Sequence, residues 1–271
     1  MNGPDLALAV GAIAREAGAA ILDVYAGSFA VQRKPDDSPL TAADLAAQRV
    51  LAAGLRALRP DLPVLSEESA AAPWSERRGW QRYWLIDPLD GTREFIKRNG
   101  EFTVNVALVE RGASVLGVVH APVSGELAWA VAGEGAWLQD ARGAMPRRLA
   151  TRVAPVQPVL ACSRSHGSVE EARMLENLGP HQRLPLGSSL KFLRVADGSA
   201  DLYLRLGATS EWDTAAAQCI LEEAGGAVVD LAGERLRYNA RDSLLNPSFL
   251  AVGDPRRDWR LAMGLDAVRP A

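Results

Sequence analysis

One stretch of the chain constrains the fold more than any other: residues 83–106, YWLIDPLDGTREFIKRNGEFTVNV. Its first four residues are apolar and favour a buried β-strand that delivers Asp87 at its carboxyl end. Pro88 has no amide hydrogen and disfavours a helical conformation at Asp87, so we expect the chain to turn out of the sheet there. Asp90 follows this turn, and Gly91 lets the backbone approach a ligand closely before a helix begins.

The two carboxylates, Asp87 and Asp90, lie three positions apart on this rigid turn and can converge on one point. Their repulsion is costly unless a cation lies between them. Oxygen ligands suit a hard ion such as Mg²⁺, which keeps water molecules that a substrate phosphate can replace. The alternative is an ordinary strand-ending turn, because Asp, Pro and Gly all favour turns.

Three motifs favour the metal site over the simple turn. They are Ser66-Glu67-Glu68-Ser69, then Trp84-Leu-Ile-Asp87-Pro-Leu-Asp90-Gly91-Thr92, then Trp212-Asp213-Thr-Ala-Ala followed by Glu223-Ala-Gly225-Gly226. In this order they resemble the signature of the inositol monophosphatase superfamily, which comprises magnesium-dependent, lithium-sensitive phosphatases. The resemblance implies an α+β fold layered αβαβα, with antiparallel and mixed sheets and two intimately packed subdomains.

The pattern of predicted elements changes near Thr151. Two helices and an antiparallel meander precede it, whereas strands alternate with helices after it, ending in an amphipathic helix from Pro255. We therefore predict an N-terminal α+β subdomain, residues 1–150, and a C-terminal α/β subdomain, residues 151–271. A cleft between the halves is the expected site.

Acidic side chains from separate segments are the predicted metal ligands. Four carboxylates gathered in a cleft would repel one another, whereas two or three Mg²⁺ ions would neutralise them. The resemblance assigns this role to Glu67, Asp87, Asp90, Asp213 and the main-chain carbonyl of Leu89. Neighbouring side chains of an extended segment point to opposite sides, so one of Glu67 and Glu68 faces the site, and the resemblance favours Glu67. Considered alone, Asp213 is more often a helix N-cap than a ligand.

Asp44 and Thr92 are the predicted catalytic residues. Thr41 and Asp44 have the spacing of a capping box, which would mount Asp44 rigidly at the start of a helix over residues 41–58. The resemblance implies that Asp44 and Thr92 together orient the water that attacks phosphorus, while metal ions neutralise charge on the leaving oxygen. The sequence does not distinguish between Asp44 and Glu68 as the final proton acceptor.

The substrate prediction depends on the particular residues within and around the motifs. Asp37-Ser-Pro-Leu-Thr-Ala-Ala-Asp44, Thr92-Arg-Glu-Phe-Ile, Gly187-Ser188-Ser189-Leu-Lys191-Phe and Leu202-Tyr-Leu-Arg205 are similar to the bacterial 3'(2'),5'-bisphosphate nucleotidase branch. That branch removes the 3'-phosphate of adenosine 3',5'-bisphosphate to give AMP, and some members act on the sulfated precursor. The second phosphate needs a cationic subsite, for which Ser188, Lys191 and Arg205 are candidates. The alternative for each cation is solvated surface charge.

The residues expected to touch the substrate overlap with the metal ligands. They are Glu67, Leu89, Asp90, Gly91, Thr92, Ser188, Lys191, Arg205 and Asp213. An inositol or other sugar phosphatase is the second interpretation, and a non-catalytic metal- or nucleotide-binding regulator is the third. No serine nucleophile elbow or phosphatase cysteine loop is present, and His120, His166 and His181 share no ligand spacing.

Composition limits the partners and the compartment. A net charge of −3 provides no basic field for a polymeric nucleic acid. Cys162 and Cys219 are too few for a disulfide framework and predict reduced core cysteines. We find no signal peptide or membrane span and expect a cytoplasmic protein. The sequence is compatible with a homodimer and with peripheral contact at the cytoplasmic face of the inner membrane.

Overall fold

The computed structural model describes residues 2–33, 39–141, 143–164 and 169–265. The helices are α1 Gly3–Ala26, α2 Ala42–Leu58, α3 Trp74–Arg77, α4 Thr92–Ile96, α5 Val169–Leu178, α6 Leu190–Ala196, α7 Glu211–Glu223 and α8 Trp259–Ala262. The strands are β1 Val31–Arg33, β2 Pro39–Thr41, β3 Val64–Ser66, β4 Arg82–Asp90, β5 Thr103–Glu110, β6 Ala113–His120, β7 Leu127–Val131, β8 Gly135–Gln139, β9 Arg147–Arg148, β10 Val159–Ser163, β11 Gln182–Leu186, β12 Leu202–Arg205, β13 Ala227–Asp230 and β14 Phe249–Val252.

The elements stack in five layers, which confirms the αβαβα arrangement. Helices α1 and α2 cover one face of a seven-stranded sheet, where Trp84 and Val106 belong to their shared apolar core. The other face of that sheet packs against α6 and α7, and the five-stranded sheet lies beyond them. Helices α5 and α8 cover the outer face of the five-stranded sheet through Leu175 and Trp259. Because the central core contains residues from both sheets, the two halves pack intimately.

The predicted antiparallel meander is confirmed in the seven-stranded sheet, whose order is β3-β4-β5-β6-β7-β8-β9. Within the described part of this sheet, β3 and β4 pair in parallel and the other neighbouring strands pair antiparallel. The five-stranded sheet, β11-β10-β12-β14-β13, is mixed, with parallel pairing at β10 and antiparallel pairing at β14. Parallel pairing of β3 with β4 places the end of β3 beside Asp87.

The prediction that the chain leaves the sheet at Pro88 is wrong. Strand β4 continues to Asp90, which pairs with Thr103 of β5, and the register shifts between Asp87 and Asp90. A proline is tolerated at such an irregularity because its missing amide hydrogen is not needed by the ladder. The shift therefore allows both aspartates to remain on a rigid strand.

Helix α7 lies unusually close to the sheet at Gly117 of β6. A Cβ atom at Gly117 would come within 2.1 Å of the carbonyl oxygen of Ala216, so only glycine permits this approach. The close packing fixes the helix that carries Asp213. Among the described residues, no helix has the length and apolar character needed to cross a membrane.

One other predicted element differs from the structure. The amphipathic helix expected from Pro255 is a single turn, Trp259–Ala262, because Asp258 accepts a hydrogen bond from the amide of Leu261 and starts the helix later. The subdomain boundary near Thr151 stays a prediction.

Candidate active site

Three of the predicted metal ligands converge. One carboxylate oxygen each from Glu67, Asp87 and Asp213 lies within 4.8 Å of the other two. Glu67 immediately follows β3, and its amide donates to the carbonyl oxygen of Ile86 on β4 at 3.3 Å. Asp87 is buried on β4, with an exposed fraction of 1%. These contacts support the choice of Glu67 over Glu68.

Asp213 reaches this cluster from the first turn of α7. Ser210 is the N-cap, and its amide donates to Oδ2 of Asp213 at 2.8 Å, so the two residues form a capping box. The alternative in which Asp213 is itself the N-cap does not hold, because the helix begins at Glu211. As at Asp44, the cap provides a rigid mount for a carboxylate.

Burial and mutual repulsion raise the pKa of two aspartates of the cluster. Burial raises the pKa of Asp87 well above its ordinary value, and repulsion from Glu67, Asp90 and Asp213 raises it further. Burial also raises the pKa of Asp213, followed by repulsion from Asp90. An all-oxygen set of this kind fits a hard divalent cation, which would let the buried carboxyl groups ionise. The donor set therefore fits the metal that the sequence predicts.

Asp90 lies next to the cluster, and protein donors bind one of its carboxylate oxygens. Its Oδ2 accepts hydrogen bonds from the amide of Ser189 at 2.6 Å and from the Ser189 hydroxyl at 2.8 Å. Thr103 and Asn105 donate to the same oxygen at 3.4 Å. Asp90 is thus a neighbour of the three carboxylates whose Oδ2 is already engaged by protein donors.

The predicted catalytic pair is in contact. The Thr92 hydroxyl donates to Oδ1 of Asp44 at 3.2 Å and lies 3.3 Å from the carbonyl oxygen of Leu89. Oδ2 of Asp44 accepts from the amide of Thr41 at 2.7 Å and from its hydroxyl at 2.6 Å, which confirms the capping box. Burial raises the pKa of Asp44, although the hydrogen bonds from Thr41 oppose this effect.

A profile of the inositol monophosphatase family matches residues 3–262 of this chain. The chain belongs to that family. A 3'(2'),5'-bisphosphate nucleotidase CysQ from Salmonella typhimurium is 52% identical over 239 residues, which cover 88% of this chain and 95% of the relative.

Solved structures of family members share the fold. CysQ from Bacteroides thetaiotaomicron, described as a bacterial member of the inositol monophosphatase family, superposes with a TM-score of 0.81 at 39% identity. The match covers 92% of this chain and 97% of that chain. An IMPase from Thermotoga maritima gives a TM-score of 0.76 at 25% identity, with 94% of both chains covered.

The end of β4 and the start of α4 border a cavity of about 790 Å³. Gly91 adopts a φ of 95°, in the left-handed region, and a Cβ there would lie 3.0 Å from the carbonyl oxygen of Glu101. Glycine at this position therefore allows Thr92 to start α4 at the cavity wall. The predicted metal ligands, Gly91 and Thr92 all line this cavity.

Ser188, Lys191 and Arg205 line the same cavity. The Ser188 hydroxyl oxygen and Nε of Arg205 are buried and have no hydrogen-bond partner among the described residues. Lys191 is buried rather than solvated, and its ammonium donates to the carbonyl oxygen of Ser188 at 2.6 Å. Burial lowers the pKa of Lys191 to about 8, although the charge of Asp90 opposes that shift.

Sequence reasoning missed two polar residues of the site, Ser189 and Asn105. Ser189 lies within the motif that begins at Gly187, but only the preceding serine received a role. Asn105 lies opposite Asp87 in the pairing of β4 with β5, a register that the sequence does not specify. Both residues are 1% exposed.

The described histidines and cysteines, which we predicted to be structural, lie outside the site. Nδ1 of His120 lies 2.8 Å from the carbonyl oxygen of Glu126, and Nδ1 of His181 lies 2.7 Å from that of Gly179. His166 lies outside the described residues. Cys162 and Cys219 are buried free thiols, as predicted.

Proposed function

We propose that this protein hydrolyses the 3'-phosphate of adenosine 3',5'-bisphosphate, giving AMP and inorganic phosphate, with Mg²⁺ as its cofactor. The observation that carries the proposal is the convergence of Glu67, Asp87 and Asp213 in the cavity that also contains the cationic Lys191 and Arg205. The relatives named 3'(2'),5'-bisphosphate nucleotidase support the choice of substrate. The sulfated precursor, 3'-phosphoadenosine 5'-phosphosulfate, is a second candidate substrate.

Two or three Mg²⁺ ions would be held by Glu67, Asp87, Asp90, Asp213 and the carbonyl oxygen of Leu89. When bound, they supply positive charge that polarises the phosphoryl group and lowers the pKa of a water molecule. The set contains only oxygen donors, which favours Mg²⁺ over softer metals. The number of ions stays a prediction.

The residues of the chain provide orientation and proton transfer. The Thr92 hydroxyl would hold the attacking water and pass its proton toward Asp44, whose pKa is raised by burial. The amides of Gly91 and Thr92 would bind oxygens of the reacting phosphate. Asp213, which borders the same cavity, would contact the substrate as well as the metal.

The second phosphate would be bound by Ser188, Lys191 and Arg205. The unpartnered donors of Ser188 and Arg205 are satisfied if phosphate oxygens accept from them. Lys191 adds charge beside them. Inositol 1-phosphate has no second phosphate and would leave these donors unsatisfied, which is why the inositol phosphatase alternative is weaker.

The decisive measurement is phosphate release from adenosine 3',5'-bisphosphate and from inositol 1-phosphate, with Mg²⁺ and with or without Li⁺. We expect a preference for the nucleotide and inhibition by Li⁺. A preference for the inositol ester would overturn the substrate assignment. Turnover of neither, with intact binding of adenosine 3',5'-bisphosphate, would favour the regulator.

The remaining features of the proposal concern location and assembly. We propose a cytoplasmic protein, in keeping with the two buried free thiols. The homodimer and the peripheral membrane contact stay predictions. Size-exclusion chromatography with light scattering tests the first, and sedimentation with anionic vesicles tests the second.

A further inference from the structure

Ser189 connects two acidic residues that come from different halves of the chain. Its amide and hydroxyl both donate to Oδ2 of Asp90, at 2.6 and 2.8 Å, and its hydroxyl oxygen also lies 3.0 Å from the main-chain oxygen of Asp213. Asp90 ends β4, whereas Asp213 lies in the first turn of α7. Ser189 therefore bridges the strand and the helix that carry the acidic cluster.

Asn105 completes this connection from β5. Its Nδ2 atom donates to the hydroxyl oxygen of Ser189 at 2.9 Å. The Ser189 hydroxyl has only one proton. Because the side-chain amide of Asn105 donates to the hydroxyl oxygen, that proton is left for Oδ2 of Asp90 or for the carbonyl of Asp213. Both side chains are buried, where such hydrogen bonds to a carboxylate are strong.

The Ser189 hydroxyl is not used to stabilise its own helix. Ser189 is the N-cap of α6, a position at which a serine hydroxyl normally accepts from an amide of the first turn. Here the side chain makes no such bond, and its φ and ψ of −68° and −3° are helical. The hydroxyl serves Asp90 instead, which points to a role in the site rather than in helix capping.

We propose that Ser189 and Asn105 are positioning residues for the metal site. By engaging Oδ2 of Asp90, they leave Oδ1 as the oxygen available to a cation, and they hold Asp90 at a fixed place relative to Asp213. The inference rests on the proposed function in taking Asp90 and Asp213 as metal ligands. Hydrogen bonds to ligating carboxylates commonly set both the orientation and the affinity of a metal site.

Isothermal titration of MgCl₂ into the full-length protein tests this role without any substrate. We expect Ser189→Ala to weaken Mg²⁺ binding about 10- to 100-fold, with Asn105→Ser acting in the same direction. The matched control is Ser114→Ala, because Ser114 is also buried but its hydroxyl lies on β6, where it donates to the carbonyl of Leu116 at 3.5 Å and contacts Cys219 rather than the acidic cluster. Its Mg²⁺ affinity should stay within about twofold of the native value.

Kinetics provide a second measurement. At saturating Mg²⁺ the KM of Ser189→Ala for the nucleotide should be unchanged, whereas the Mg²⁺ concentration for half-maximal rate rises with the dissociation constant. If Ser189→Ala does not fold, Ser189→Cys, which keeps the shape but donates weakly, replaces it. Native-like Mg²⁺ affinity in the folded variant, or an equal loss in Ser114→Ala, overturns the inference.

The outcomes separate this inference from the proposed function. A native protein that binds Mg²⁺ in a Ser189-dependent manner but cleaves no bisphosphate nucleotide would refute the function and leave the positioning role intact. A native protein that cleaves the nucleotide, with Mg²⁺ binding independent of Ser189, would refute only the positioning role. Failure of the native protein to bind Mg²⁺ would refute both.

Discussion

The hydroxyl of Thr92 donates a hydrogen bond to Oδ1 of Asp44 at 3.2 Å, joining the first turn of α4 to the first turn of α2. The other oxygen of Asp44 is held by Thr41, so the carboxylate cannot rotate away from Thr92 without losing its capping bonds. Both residues are mounted on helix termini, and Thr92 lines the cavity. These contacts hold the pair in the arrangement that the proposed orientation of a water molecule requires.

Removing the hydroxyl of Thr92 should slow turnover with little effect on binding. We expect Thr92→Ala to lower kcat by about 100- to 10,000-fold, the usual contribution of positioned acid–base groups. Thr92→Ser keeps the hydroxyl and should retain most of the activity. Steady-state kinetics of phosphate release measure both variants, and equal losses in the two would contradict the proposed role.

Neutralising Asp87 should separate stability from activity. Because burial and neighbouring carboxylates raise the pKa of Asp87, Asp87→Asn removes a repulsion. In EDTA the variant should unfold roughly 2–4 °C above the native protein, the shift that about 1 kcal/mol produces in a chain of this size. It should lose both turnover and the stabilisation that Mg²⁺ gives the native protein.

Scanning fluorimetry with EDTA and with Mg²⁺ measures these midpoints. Asp140→Asn is the control, because Asp140 is exposed and, among the described residues, pairs with Arg147 at the surface. Asp90→Asn should likewise abolish turnover with little unfolding. Retained activity in Asp90→Asn would refute its assignment as a metal ligand.

Lys191 should make substrate binding sensitive to alkaline pH. Burial lowers its pKa to about 8, so its charge is present below that pH and is lost above it. The KM for adenosine 3',5'-bisphosphate should therefore rise above about pH 8. Lys191→Arg should remove this rise, because arginine stays protonated.

The control for Lys191 is a substrate without the second phosphate. The KM for adenosine 3'-monophosphate should not follow the same pH profile, because the proposed partner of Lys191 is missing. A native KM that is constant up to pH 10, or an identical profile for both substrates, would count against the subsite.

His120 should make the protein less stable in mild acid. Burial lowers its pKa from 6.5 to about 4, so the unfolded chain takes up a proton before the folded protein does. The effect is absent above about pH 6.5 and grows as pH falls toward 4, where it reaches up to about 3 kcal/mol.

Urea unfolding at pH 7 and pH 5 measures this dependence. His120→Asn removes the titrating group while retaining a donor for the carbonyl of Glu126, and its free energy of unfolding should fall less than that of the native protein. The difference between the two proteins isolates His120 from the carboxyl groups that also titrate. Parallel losses would show that His120 is not responsible.

Local patterns predicted a large part of the fold and of the site. The spacing of Thr41 and Asp44 predicted a capping box, and the motif around Asp87 predicted a carboxylate delivered by a buried strand, because both depend on neighbours a few positions away. Pro88 misled the prediction, since its tolerance within β4 depends on the register with β5, a long-range relationship.

The sequence by itself determined which side chains could bind a cation and which helix ends could carry them. Only the tertiary structure decided that Glu67 faces Asp87, that Ser189 binds Asp90, and that Lys191 is buried. These relationships depend on sheet register and on packing between the two halves. Periodicity and turn chemistry describe contacts within an element, whereas the distance between atoms far apart in the chain is set by how the elements pack.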